Sequence, residues 1–154
     1  MKKSGRFVGI DPGQSGGIAV LDQYKVVLTV MPATETDVWR WIRDNCVGCT
    51  SAVIEKVHAM PQQGVSSTFK FGVGVGLLRG CLIAAGISWE EVTPQRWIKA
   101  LEIPYRGKTE TKVEFKNRLK AKAQRLFPGI DVTLKTADAL LLATYCQKKY
   151  EGKL

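Results

Sequence analysis

Over the first third of the chain, apolar residues come in short bursts separated by turn-forming residues. Phe7-Val8-Gly9-Ile10-Asp11 is a β-rich run that stops at Pro12-Gly13-Gln14-Ser15-Gly16-Gly17. Residues 18–21 and 25–31 repeat the pattern around an Asp22-Gln23 turn, which predicts an antiparallel meander. On the first strand Asp11 shares a face with Phe7 and Gly9, while Val8 and Ile10 point the other way. The period then changes. Val38, Trp41 and Ile42 form a helical stripe, capped by Thr34 or Thr36 and running through Asn45. Ser51-Ala52-Val53-Ile54-Glu55 reads as a buried strand. Its alternation with helices predicts parallel pairing.

The second half is mainly helical. Ser66 or Ser67 can cap a long helix over 68–85, and a weak strand follows at 89–92. Pro94 opens a short helix to Leu101. A helix over 109–127 carries the stripe Phe115, Leu119, Ala123 and Leu126 and stops at Pro128-Gly129. The last helix spans 136–149, with Ala137, Leu140, Leu141 and Ala143 towards the core. No repeat or linker divides the pattern, so residues 1–154 read as a single α/β domain, a mixed sheet of about five strands flanked by helices.

Composition narrows the function. The chain has 154 residues, and 23 Lys and Arg against 14 Asp and Glu give a net charge of +9. Such a balance suits a polyanion, nucleic acid before an acidic membrane surface. No apolar run is expected to reach membrane-spanning length; the longest candidate, residues 71–85, is broken by Arg79 and four glycines. The basic N-terminus has no apolar stretch or cleavage site after it, so no secretion signal is expected. The four cysteines therefore read as reduced thiols in a cytoplasmic compartment.

Three acids stand at element ends: Asp11, Glu55 and Asp138. Carboxylates there are costly to desolvate. If the fold gathers them, a divalent cation is the natural occupant, and hard oxygen ligands favour magnesium or manganese over zinc. Spacing alone leaves the alternative open that they are unrelated acids at turns and helix starts.

The residues Phe7-Val8-Gly9-Ile10-Asp11-Pro12-Gly13, Ile54-Glu55-Lys56-Val57 and Ala137-Asp138-Ala139-Leu140 occur in the order of a known family. The chain resembles the RuvC-type Holliday junction resolvases of the ribonuclease H superfamily from Phe7 to about Cys146. The stretch from Glu55 to Pro61, with Gln63-Gly64-Val65-Ser66-Ser67, looks most like the phage-encoded branch. The resemblance implies a ribonuclease H-like fold, a homodimer and Mg2+-dependent paired nicking of a four-way DNA junction, with Mn2+ as substitute. It implies a bacterial or phage-infected host cell and no nucleotide cofactor. Carried over, Asp11 would bridge two metals and Glu55 and Asp138 would complete their ligands. Three positions before Asp138 the family places a further metal-site residue; here it is Lys135, which puts one metal in doubt and could itself touch the scissile phosphate.

Around this site, Lys108, Lys112, Lys116 and Lys120 recur every four residues as a DNA-binding ridge, which could equally be a solvated helix face. Lys56 and the lone His58 follow Glu55 and are further DNA-binding candidates; His58 stands where the family often has an aromatic. Gly72, Gly76 and Gly80 form a flat helical face, for a dimer contact or for packing on the sheet. Cys46 and Cys49 form a lone CxxC, weak as a zinc or redox signal. Two other readings stand beside the resolvase: a catalytically weak junction-binding protein, and a ribonuclease of the same superfamily. An actin-like ATPase fragment is a third, disfavoured by the short chain and the absence of a second phosphate loop.

Overall fold

The computed structural model describes residues 4–58 and 62–154. A five-stranded sheet runs in the order β3-β2-β1-β4-β5. Its strands are β1 (Phe7–Asp11), β2 (Gly17–Leu21), β3 (Val26–Val30), β4 (Ser51–Glu55) and β5 (Trp89–Val92). The first three form the antiparallel meander, and β4 and β5 add in parallel beyond β1. The mixed sheet flanked by helices is therefore the architecture expected from the pattern.

The helices divide between the two faces. Helices α1 (Glu35–Cys46) and α2 (Val65–Ala84) cover the face of Val8, Ile10, Ala52 and Ile54. Helices α3 (Pro94–Ala100), α4 (Lys112–Leu126) and α5 (Ala137–Tyr150) cover the face of Phe7, Val53 and Val92. Alternation along β1 thus sends its side chains into two separate cores. Helix α5 is buried continuously from Ala137 to Cys146, not on one stripe as its pattern suggests. It lies across β1, β2 and β4 with other helices behind it, so every side has a neighbour.

Glycine makes this approach possible. A Cβ on Gly9 would stand 2.8 Å from the carbonyl carbon of Leu142, and closer still to the Ala139 carbonyl oxygen and the Ala143 nitrogen. The backbone of α5 therefore rests directly on β1 at Gly9.

Two helix starts and one buried position differ from expectation. Helix α2 starts at Val65 behind Gly64, with no side-chain cap, so Ser66 and Ser67 lie inside its first turn. Helix α4 starts at Lys112 rather than near Thr109, because Thr111 and Glu114 close a reciprocal capping box. Leu126, expected on the buried stripe of α4, is exposed, and Phe127 packs against the core instead.

Helix α2 also corrects the reading of residues 71–85. It is 20 residues long with a mean hydropathy of 1.3, enough by length and composition to cross a membrane. Only Leu78, Cys81 and Leu82 are buried on the sheet. Val65 is 88% and Phe69 72% exposed, and a Cβ on Gly72, Gly76 or Gly80 would meet nothing within 4 Å. The glycine face is thus not packed on the sheet.

Candidate active site

Strands β1 and β4 run parallel with Ile10 opposite Ile54, so Asp11 and Glu55 stand side by side one residue further on. Asp138 reaches the same end from the first turn of α5, where it is 2% exposed. The close contact at Gly9 sets how near α5 brings it. The three carboxylates feel one another. Burial, then repulsion from Asp138 and Glu55, pushes the Asp11 carboxyl up to about 8, against a smaller opposing pull from Lys116. Burial also holds Glu55 above its ordinary value, with Asp138 adding to it. The structure thus brings together the three acids singled out in the sequence.

Two further residues belong to this cluster. The indole Nε1 of the buried Trp97 donates to Glu55 Oε2 at 2.7 Å, from α3 beneath β4. This bond fixes one carboxylate oxygen and stabilises the charged form. Trp97 is not singled out by any motif in the sequence. Trp97→Phe keeps a ring in the core but removes the donor. It is expected to raise the Glu55 carboxyl further and to cost about 1–3 kcal/mol, read by carbon-13 NMR titration and urea unfolding of the metal-free protein.

The second is Lys116, whose Nζ pairs with Asp138 Oδ2. Burial opposes its charge, but Asp138, Asp11 and Glu55 together outweigh that and hold the ammonium above its ordinary value. It was grouped with the DNA-binding ridge because spacing alone does not show which lysine turns inward. Asp138 Oδ1 is buried and has no partner among the described residues.

The remaining candidates surround this point. Lys112, Lys116, Lys135 and Asp11 line one cleft of about 1320 Å³, whose other wall includes Phe69 and Phe71 of α2. Lys135 is exposed there and makes no ion pair among the described residues. Lys120 lies two turns along α4 from Lys112, half-buried. Lys108 precedes the helix, so the ridge is a helical feature only from Lys112 onward. Lys56 and His58 are exposed just past β4; the following residues 59–61 of that motif lie outside the described residues. Cys46, the last residue of α1, and Cys49 just after it are free and buried, and burial pushes the Cys46 thiol up to about 12 and raises Cys49 as well. Such thiols are protonated and poor as ligands or nucleophiles.

No family model matches the chain, and no curated protein does. Solved structures do. Thermus thermophilus RuvC aligns with a TM-score of 0.59 at 16% identity, over 96% of this chain and 97% of that one. T. thermophilus RuvC in complex with Holliday junction substrate gives 0.62 at the same identity and coverage. The fold is RuvC-like. At this identity the likeness concerns the architecture, and the chemistry must be argued from the residues of this chain.

Those residues suit a hard divalent cation. All three converging side chains offer carboxylate oxygens, and Asp138 Oδ1 accepts no hydrogen bond among the described residues, which leaves it free to bind a cation. Among the described residues, no three acids, histidines or cysteines grip a metal as they stand. The cation gathered among them is the Lys116 ammonium.

Proposed function

We propose that this chain is a metal-dependent endodeoxyribonuclease that resolves four-way, Holliday-type DNA junctions by paired nicks. One observation carries the reading: on a RuvC-like sheet, Asp11, Glu55 and Asp138 converge beside a cleft walled by lysines. A basic cleft recruits the DNA backbone, and a carboxylate cluster at its base suits phosphodiester hydrolysis.

Asp11, Glu55 and Asp138 would hold Mg2+, or Mn2+ in its place. The bound cation would lower the pKa of a water nucleophile and offset charge on the leaving oxygen. The chain's own residues do the rest. Trp97 holds one oxygen of Glu55 in place and favours its charged form. Lys112 and Lys135 line the cleft and neutralise the strand lying in it, with Lys108 and Lys120 extending the basic surface. Lys56 and His58 reach out beyond β4, where a branched substrate presents unstacked bases.

Paired nicks require two sites related by a two-fold axis. The exposed apolar and glycine face of α2 supports a homodimer contact there. It adjoins the cleft through Phe69, so two copies meeting on it would set their clefts side by side.

The test is cleavage of a synthetic four-way junction, a linear duplex and an RNA–DNA hybrid, each with Mg2+, Mn2+ or chelator. Paired, metal-dependent nicks on the junction are the expected result. Preferential cutting of the hybrid would make the chain a ribonuclease of the same fold. Tight binding without cuts would make it a junction-binding protein.

Binding itself should weaken steeply with salt. Each phosphate contact contributes about −0.9 to the slope of log affinity against log salt. Replacing Lys112 and Lys120 together by Gln is expected to reduce that slope by about two. Fluorescence anisotropy across salt concentrations measures it, and an unchanged slope would remove both lysines from the interface.

A further inference from the structure

The positive charge among the three carboxylates belongs to the chain itself. Lys116 is paired with Asp138, and its ammonium acts on Asp11 and Glu55 as well. The helix that carries it is fixed at both ends of the relevant stretch. The Thr111–Glu114 capping box closes its start. Two residues beyond Lys116, Arg118 donates to both Glu110 oxygens and to the carbonyls of Pro104 and Tyr105. One and two turns on, Leu119 and Ala123 are buried in the core shared with α5.

The pair is also asymmetric. The Lys116 side chain is 39% exposed, whereas that of Asp138 is 3% exposed. Withdrawing the lysine would leave a buried carboxylate without a counter-ion, the costly way to break such a pair. The charges point the same way. With a divalent cation bound, all three carboxylates would be ionised and carry −3, and Lys116 would bring the cluster to −3 + 1 = −2. One divalent cation makes that neutral, and a second would leave an excess of +2. Among the described residues no fourth carboxylate acts on Asp11 or Glu55 to absorb that excess.

We propose that Lys116 is a resident cation of the site, standing in the place of a second metal ion, so that each chain takes one divalent cation. The inference rests on the metal-dependent reading above. Lys116 then supplies in fixed form the positive charge that a second ion would bring, while its protons donate to Asp138 and to the phosphate.

Mn2+ binding, counted by electron paramagnetic resonance, tests this without any turnover. The ions that matter are those lost in Asp11→Asn. The wild-type chain is expected to hold one such ion. Lys116→Gln, with Lys116→Met as a second variant should the first not fold, is expected to bind it about tenfold more tightly. That is the scale of repulsion between a unit and a double charge a few ångströms apart, even at the dielectric constant of water. Lys116→Arg keeps the charge and is expected to bind as the wild type does. Two Asp11-dependent ions in the wild type would overturn the inference, as would unchanged affinity in the neutral variants or equal tightening in Lys116→Arg. No Asp11-dependent ion at all would instead overturn the metal-dependent reading, and this inference with it.

Discussion

Free of metal at pH 8, Asp11→Asn is expected to be more stable than the wild type, and with metal restored it is expected to be inactive. The wild-type carboxyl is pushed up to about 8 by burial and by its two acidic neighbours, whereas in the unfolded chain it titrates near 3.8. Between those values the folded chain keeps a proton that the unfolded chain has released. Rising pH therefore favours unfolding. The contribution is intact below about pH 4, declines by at most about 1.4 kcal/mol per pH unit, and is fully lost above about pH 8. Glu55 is shifted in the same direction and adds to the slope. Lys116 is raised from a value of 10.5, so its own contribution lies above this window. Asparagine has no proton to release, and its stability should be flatter. Urea unfolding of chelator-treated protein at several pH values between 4 and 8 measures the difference; a flat wild-type profile would contradict it. The same substitution removes one of three converging carboxylates. Junction cleavage should fall at least about a thousandfold, the scale for deleting a group that acts in the transition state.

Gly9→Ala is expected to be the most damaging single methyl group in the fold. The added Cβ would collide with α5 backbone at Ala139, Leu142 and Ala143, and backbone cannot rotate away as a side chain can. Either β1 or α5 must shift. Overpacking of well-packed sites typically costs 1–3 kcal/mol, and a backbone clash places this case at about 3 kcal/mol or more. For a chain of this size the melting temperature should drop by about 10 °C. The shift also separates Asp138 from Asp11, so cleavage should suffer in whatever fraction remains folded. Calorimetry and the junction assay on the same sample separate the two effects. A variant with wild-type melting would mean that α5 does not rest on Gly9.

Much of this was legible from the residues. Strand alternation in β1 gave the direction of Asp11, because the two-residue period leaves no ambiguity once Val8 and Ile10 are inward on one side. The three acids were visible because carboxylates at the ends of apolar runs are out of place. Lys116 was not separable from Lys112 and Lys120, since equal spacing ranks no lysine above another. The start of α4 was available in the Thr111–Glu114 spacing, which outweighs a generic threonine cap at position 109. Trp97 was invisible because its indole serves the core with its ring and the site with one N–H. The exposure of α2 was hidden for a different reason: apolar composition predicts burial, and only the tertiary arrangement shows which face is left without a partner.

The burial of α5 bears on the order in which the molecule comes into being. Asp11 and Glu55 emerge early during synthesis, on strands that can pair as soon as they appear. Asp138 emerges more than eighty residues after Glu55, on the helix that fills the middle of one core. A nascent chain or a proteolytic remnant lacking that helix has two of the three acids and an open sheet face. Completion of the core and gathering of the three acids are therefore one event.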